Sequence, residues 1–254
     1  MKIAIDAGHG LHTPGKRCLK SIDPKETREW QLNSRIAARV CTELTRLGIT
    51  AVRMDDPTGA VDVPLSQRAR NAAGCDYYIS IHHDSGISGG TGGGVTVFAY
   101  AGASKAALRL RDTLYRHVIA ETGLKGNRAE PLKTANFAVL RETSMPAALI
   151  ECGFMDSRTD TPLILTADFA ARAATGIVKA VCELCGVPYK PKTNREDDNM
   201  IIYKKPADLP AWAKPTVDKL IARGSIKPEA DGSVNITNDM VRVLVINDRE
   251  GLYQ

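Results

Sequence analysis

The sequence contains no apolar stretch near the ~20 residues that a helix needs to cross a bilayer, so we expect no membrane span. It has no Lys/Arg cluster as dense as a nucleic-acid patch, although its net charge is +5, so we expect no nucleic-acid partner. Its N-terminus lacks a basic segment followed by a long apolar run and a cleavage site. This absence predicts synthesis in the cytoplasm without a signal peptide.

The sequence has six cysteines, and most of them lie inside apolar patterns, as small hydrophobic side chains would. This usage is typical of a reducing compartment. Cys182 and Cys185 have the spacing of half a structural zinc site, but no second C-x-x-C motif completes it. We therefore interpret this pair as part of a helix end.

A regular alternation of strand-like and helix-like patterns fills residues 1–186 and predicts one domain of this length, which we expect to be the catalytic domain. It favours an α/β fold, with a mostly parallel, twisted sheet of about six strands flanked by helices. Residues 85–94 are glycine-rich but lack the Lys-Ser/Thr ending of a phosphate loop, which indicates a flexible connection between strands. The predicted strands are Lys2–Ala7, Ile49–Met54, Tyr77–His82, Gly94–Tyr100, Phe137–Arg141 and Ala147–Glu151. The predicted helices are Thr27–Leu47, Leu65–Ala73, Ser104–Thr122 and Ala167–Cys185.

The composition changes after residue 186. Residues 187–199 are polar and charged without apolar periodicity, which indicates a linker. Residues 200–254 predict a small, mainly helical C-terminal module, with Thr237 as the N-cap of its last helix and Trp212 packed in its core. A module of this size is too small to be very stable alone, so we expect it to pack against a partner copy, by self-association, or against the first domain.

Three predicted strands break into ionisable residues where they end. His9 follows the first strand, His82 and His83 end the third, and Glu151 ends the last. Ligands of open α/β sheets bind beyond the carboxyl ends of the strands, so parallel strands would bring these side chains into one crevice. Because side chains alternate along a strand, only one of His82 and His83 can face it, and the residues do not decide which.

Glu29 is a fourth candidate, because it lies in the first turn of the first helix and on its buried stripe; Glu26 is the alternative. Two imidazoles and one carboxylate suit a catalytic zinc ion, which leaves one position open for water. A second carboxylate is then needed as general base and acid. Glu29 as ligand and Glu151 as base is one assignment, and the reverse remains open at this point.

Four separated motifs resemble, in order and spacing, the zinc-dependent N-acetylmuramoyl-L-alanine amidases of the amidase-3 type: AIDAGHG, EWQLNSRIA, VPLSQRARNAAGCDYYISIHHD and AVLRETSMPAALIECGFMD. The resemblance covers about residues 1–185. It implies one zinc ion in the catalytic domain, held by His9, Glu29 and His82, with Glu151 as the catalytic residue. His83, Arg141 and Glu142 are further candidates for substrate binding.

The resemblance implies hydrolysis of the amide between N-acetylmuramic acid and L-alanine in bacterial peptidoglycan, and so lysis of the cell wall. Three alternatives remain. One is a zinc peptidase that cleaves a stem-peptide amide. Another is a Cys–His hydrolase that uses Cys152 or Cys75, and the third is a wall-binding protein without catalysis.

A catalytic domain, a charged linker and a small C-terminal module resemble the organisation of a phage or prophage endolysin. The C-terminal segment is similar to small wall-binding modules of clostridial-type endolysins. We therefore expect residues 200–254 to bind the wall or to self-associate. We also expect synthesis in a host bacterium without a signal peptide, followed by action on the wall after release.

Overall fold

A computed structural model describes residues 1–191, 202–251 and 253. The chain divides into two compact units, Met1–Lys190 and Pro191–Gln254. Most of the predicted linker at 187–199 lies outside the described residues, so its boundaries stay a prediction.

The first unit is built on a six-stranded sheet with strand order β2-β1-β3-β6-β4-β5. Every neighbouring pair is parallel except β4 and β6, which are antiparallel. The mostly parallel α/β fold is therefore confirmed. The strands are β1 Lys2–Ala7, β2 Thr50–Arg53, β3 Tyr77–Asp84, β4 Thr96–Tyr100, β5 Leu132–Ala135 and β6 Ala147–Phe154. The helices are α1 Glu29–Arg46, α2 Leu65–Asn71, α3 Lys105–Thr122, α4 Ala138–Arg141, α5 Thr161–Ile164 and α6 Ala167–Cys185.

Helices cover both faces of the sheet because successive strand residues point to opposite sides. On one face, α1, α3 and α6 bury an apolar core against Ile3, Ile5, Ile79 and Ile81. On the other face, the shorter α2 and α4 segments pack with Ala4, Met54, Tyr78 and Leu149 in a smaller core. Short helices leave room on this second face for a cavity.

The prediction of a strand at Phe137–Arg141 is wrong, because this segment begins the short helix α4. The strand β5 lies a few residues earlier, at Leu132–Ala135. A short apolar run does not distinguish a strand from a buried helix, and here Val139 and Leu140 are buried from one turn of helix. The strand β5 has little apolar character because it is the edge strand beside β4.

The glycine-rich segment 85–94 connects β3 to β4 and is held by two carboxylates that follow β6. Asp156 Oδ2 accepts hydrogen bonds from the three successive backbone amides of 86–88, at 2.7–2.9 Å. Asp160 Oδ2 accepts one from the Gly94 amide at 2.7 Å. These bonds tie the connection to the strand that carries Glu151.

The second unit is small and mainly helical, as predicted. It contains β7 Ile202–Tyr203, antiparallel to β8 Ile236–Thr237, and the helices α7 Lys214–Ala222 and α8 Asn238–Arg249. Thr237 caps α8 by accepting a hydrogen bond from the Met240 amide at 3.1 Å. Trp212, which we expected in the core, is instead exposed. No helix within the described residues is long and apolar enough to cross a membrane.

Substitution of Gly176 by alanine should destabilise the first unit. A Cβ at this position in α6 would lie 2.6 Å from the Val118 Cα of α3, so the helices would have to separate. We expect the free energy of unfolding to fall by about 1–3 kcal/mol, although alanine favours a helix by about 1 kcal/mol. Urea unfolding measures this change. The neighbouring Thr175→Ala is the control and should change stability by less than about 0.5 kcal/mol. A Gly176→Ala variant with the wild-type free energy of unfolding would contradict the close packing of α3 and α6.

Candidate metal centre and active site

The parallel strands β1, β3 and β6 bring their carboxyl ends to one edge of the sheet. His9 follows β1 by two residues, while His82 and Glu151 are paired neighbours on β3 and β6. Paired residues of adjacent strands point to the same face. The sequence-predicted residues His9, His82 and Glu151 therefore lie together.

Glu29, the first residue of α1, completes a cluster with the two histidines. Its side chain is 1% exposed, and its Oε1 lies 3.0 Å from His82 Nδ1. Its Oε2 lies 3.3 Å from His9 Nε2. The rings of His9 and His82 meet edge to face with centroids 4.9 Å apart. One ligand atom from each of the three residues lies within 4.8 Å of the others.

The glycine before His9 is required by the space that the His82 ring occupies. A Cβ on Gly8 would lie 2.0 Å from His82 Cε1, so any other residue would displace the imidazole. His9 itself has a φ of 67°, in the left-handed region that non-glycine residues rarely adopt. Such strain is found at functional sites when surrounding contacts impose it.

Arg68 supplies those contacts from the buried side of α2. Its side chain is 1% exposed, and one amino group donates to Asp6 Oδ1 at 2.6 Å and to the Ala7 carbonyl at 2.7 Å. The other donates to the His9 carbonyl at 2.8 Å and to Asp62 Oδ1 at 3.0 Å. Its Nε donates to the Val63 carbonyl at 2.8 Å. Sequence reasoning did not single out Arg68, although it lies within the quoted motif VPLSQRARNAAGCDYYISIHHD.

His83 lies on the opposite side of β3 from His82. It is buried, and its Nδ1 lies 2.8 Å from Asn33 Oδ1. Asn33 Nδ2 in turn donates to the Gly8 carbonyl at 3.1 Å and to Glu29 Oε1 at 3.4 Å. Burial lowers the pKa of His83 to about 3, so this imidazole is neutral. His83 therefore supports the position of Glu29 through Asn33 and does not reach the cavity.

A cavity of about 630 Å³ opens over the cluster on the face covered by α2 and α4. The residues that line it and enter the argument below are His9, Lys16, Arg68, His82, Asp84 and Glu151. The two other predicted substrate-binding residues do not line this cavity. Arg141 and Glu142 pair with each other at 2.8 Å on an exposed part of the chain, because α4 turns away after Val139. Glu26, the alternative ligand, pairs with Arg17 at 3.1 Å instead.

Neighbouring imidazoles offset the effect of burial to different extents at the two carboxylates. It raises the pKa of Glu151 to about 8, and the nearby His82 offsets this only in part. Burial would also raise the pKa of Glu29, but the imidazoles of His82 and His9 outweigh it and hold that pKa well below its usual range. Glu29 is thus an ionised candidate ligand, and Glu151 is a group that can take up and release a proton near neutral pH.

The donor set fits a zinc ion on the structure's own geometry. Glu29 Oε2 is buried and accepts no hydrogen bond from the described residues, yet an imidazole nitrogen of His9 faces it. Two imidazoles and a carboxylate are an established ligand set for catalytic zinc, with a fourth position open. Here the open side is the cavity, which is where a substrate would enter.

Comparisons with known proteins agree on one family. Residues 3–183 match the family Amidase_3, described as N-acetylmuramoyl-L-alanine amidase. The chain is similar to the N-acetylmuramoyl-L-alanine amidase CwlM of Bacillus licheniformis, at 33% identity over 180 residues that cover 69% of this chain. The match spans only 65% of the length of CwlM.

Two further similarities concern a whole chain and a fold. The endolysin of Bacillus phage SPP1 is 27% identical over 264 residues, covering 98% of this chain and 93% of that protein. The solved catalytic domain of CwlV, an N-acetylmuramoyl-L-alanine amidase from Bacillus (Paenibacillus) polymyxa, superposes with a TM-score of 0.64 at 26% identity. It covers 74% of this chain and 99% of that structure.

The raised pKa of Glu151 predicts that the metal-free protein loses folding stability as the pH rises. Between the ordinary value of 4.5 and about 8, the unfolded chain releases this proton while the folded protein retains it, so stability falls as pH rises through that window. Glu151→Gln has no titrating group at this position and should not show this loss of stability. The Tm of the variant in excess chelator should match wild type at pH 4.5 and exceed it by roughly 10 °C at pH 8.

The exposed Glu142→Gln provides the background for this measurement. Its Tm should follow that of wild type at every pH. A Glu151→Gln Tm difference that is constant from pH 4.5 to 8 would contradict the raised pKa.

Proposed function

The chain belongs to the Amidase_3 family of N-acetylmuramoyl-L-alanine amidases, and on this premise we propose that it is a zinc-dependent hydrolase of peptidoglycan. The bond cleaved is the amide between the lactyl group of N-acetylmuramic acid and L-alanine of the stem peptide. The observation that carries the proposal is the His9, Glu29 and His82 cluster beside Glu151 in one cavity.

In this proposal His9, Glu29 and His82 hold one zinc ion. When bound, zinc acts as a Lewis acid that polarises the amide carbonyl and makes water a better nucleophile. Glu151 accepts the proton of the attacking water and gives it to the nitrogen of the departing L-alanine. A pKa raised by burial suits this exchange, since the carboxylate has to release the proton as readily as it accepts it.

A cysteine nucleophile is a poor alternative. Cys152 and Cys75 are buried, and burial raises the pKa of both thiols, which disfavours the reactive thiolate. Cys152 also belongs to the core on the far side of the sheet from Glu151. A zinc peptidase would share the same residues, so only the bond cleaved separates it from the amidase.

We further propose an endolysin-like role, in which the enzyme lyses the cell wall after release from the host cytoplasm. The support is the similarity to the SPP1 endolysin, which extends over nearly the whole chain and includes the second unit. In this role the C-terminal module would bring the enzyme to the wall. Trp212 is exposed there and available to stack on a sugar ring.

Self-association through the C-terminal module is part of the same proposal. Met240, Val243 and Ile246 follow each other at three-residue spacing on α8, and each is more than half exposed. Residues at this spacing share one helix face, so they form an apolar stripe. A second copy of the stripe would bury it.

The test of the proposed reaction is mass spectrometry of soluble muropeptides after digestion. The wild-type enzyme should release free N-acetylmuramic acid lactyl carboxylates and stem peptides that begin with L-alanine. Glu151→Gln should lower kcat by about 10²–10⁴-fold, because the proton acceptor is lost while the ligand cluster is kept. Products cut within the stem peptide would support the zinc peptidase instead.

Metal dependence is read in the same assay with a matched pair of histidine variants. Chelator treatment and His82→Ala should abolish cleavage, and zinc should restore activity only to the chelated wild type. His117→Ala removes a histidine of α3 that pairs with Glu183 at the surface and should leave the rate unchanged. Full activity of His82→Ala would contradict the proposed ligand set.

Ile246→Glu tests self-association. Light scattering after size exclusion should give the full wild-type chain a mass above that of one copy, and the buried charge should weaken the assembly by at least about 10-fold. Arg242→Glu also introduces an acid on an exposed position of α8, outside the stripe, and should leave the mass unchanged. A monomeric wild type at high concentration would contradict this proposal.

A further inference from the structure

We propose that Lys16 is a further catalytic residue, whose ammonium group donates a hydrogen bond to the carbonyl oxygen of the scissile amide as negative charge develops there. The inference rests on the proposed amide hydrolysis. It assigns a role to a loop residue that neither the motifs nor the metal cluster include.

Lys16 is fixed at the mouth of the cluster by its own backbone. Its carbonyl accepts a hydrogen bond from the Glu29 amide at 3.0 Å, which ties the loop between β1 and α1 to the first turn of α1. Its Nζ lies 3.7 Å from Glu29 Oε2, the oxygen that faces His9. The side chain lines the cavity and is 43% exposed, so a substrate can reach it.

The other arginine or lysine side chain among the described residues that line the cavity has no donor to spare. Arg68 has five N–H groups, and all five are directed to acceptors in β1, at His9 and in the 62–63 segment. Its guanidinium is buried and already balanced by Asp6. Lys16 is therefore the lining ammonium or guanidinium group that can donate to a ligand.

The charges around Lys16 favour a developing charge over a permanent one. A cation beside the His9, Glu29 and His82 cluster disfavours a metal ion, so holding the metal does not explain Lys16. Asp84 also lines the cavity, so a carboxylate carried by the substrate would meet a like charge there. The amide of the bound substrate is uncharged and is not repelled in this way. Negative charge develops on its oxygen only in the transition state, where Lys16 can stabilise it.

The step balances with Lys16 protonated throughout. Water oxygen adds to the carbonyl carbon, the π electrons move to the carbonyl oxygen, and Glu151 takes the water proton. The oxygen, now negative, accepts the hydrogen bond from Lys16 Nζ. The carbonyl then reforms, the C–N bond breaks, and the nitrogen takes the proton from Glu151. The products are a carboxylic acid, which ionises, and an amine.

The experiment compares Lys16→Met, Lys16→Arg and Lys20→Met in the zinc-loaded full chain on soluble muropeptides. We expect Lys16→Met to lower kcat by about 10²-fold with KM within about twofold, as the loss of one transition-state donor does. Lys16→Arg should recover part of kcat, because it restores a cationic donor. Lys20, which is 76% exposed on the same loop, is the matched control and should leave both constants unchanged.

Zinc affinity and Tm separate this role from a structural one. Competition with a chromogenic chelator should show zinc binding to Lys16→Met that equals or exceeds wild type, with an unchanged Tm. Weaker zinc binding that parallels the loss of activity would overturn the proposal, and so would an unchanged kcat. A rise in KM alone would also overturn it and would assign Lys16 to recognition of a substrate carboxylate.

The kcat ratio is read on whichever amide the wild type cleaves. If the products are cut within the stem peptide, the proposed amidase function fails, while a kcat loss in Lys16→Met still supports the role of Lys16. If the products are those of an amidase and Lys16→Met retains its kcat, the inference about Lys16 alone fails.

Discussion

The buried carboxylate of Glu29 is the interaction on which the site depends. Removing an ionised carboxylate from water costs several kcal/mol unless charges and donors replace the lost hydration. In this protein, replacement comes from His82 and His9, from the amide of His83, and from the side chain of Asn33. The first turn of α1 adds a favourable dipole. One carboxylate thus joins α1, the end of β1 and the end of β3.

Because these contacts come from separate elements, the cluster is arranged before any ligand arrives. Arg68 holds the His9 carbonyl, and Gly8 leaves space for the His82 ring. Groups that are fixed in this way lose little freedom when a metal or substrate binds. Burial raises the pKa of Glu151, whereas His82 and His9 outweigh burial at Glu29 and keep it ionised, so the two neighbouring carboxylates differ in their chemistry.

Much of this arrangement could be predicted from the sequence. The strand β1 and the helix α6 have the predicted bounds, because both carry strong apolar periodicity between clear end signals. The rule that ligands lie at the carboxyl ends of parallel strands predicts that His9, His82 and Glu151 meet. Alternation along β3 shows that only one of two histidines can face the cavity. The sequence resemblance favoured His82, and the structure places that residue in the cluster.

The remainder depends on contacts between distant segments. The role of Lys16 follows from a hydrogen bond between its carbonyl and the Glu29 amide, and no local pattern predicts that bond. In the sequence Arg68 looks like an ordinary helix residue. Its role follows from hydrogen bonds to Asp62 and to the His9 carbonyl, which are distant in the chain or in another element. The strand predicted at Phe137–Arg141 is wrong for the same reason, since the edge position of β5 is decided by pairing with β4.

X-ray absorption spectroscopy of the full chain with one equivalent of zinc can identify the ligands of the metal. We expect a first shell of nitrogen and oxygen at about 2.0–2.2 Å with the multiple-scattering signature of two imidazoles. In His9→Ala and in His82→Ala, the scattering should fall from that of two imidazoles to that of one. A sulfur shell at about 2.3 Å, or a spectrum unchanged by both substitutions, would show that zinc binds elsewhere and would contradict the His9, Glu29 and His82 site.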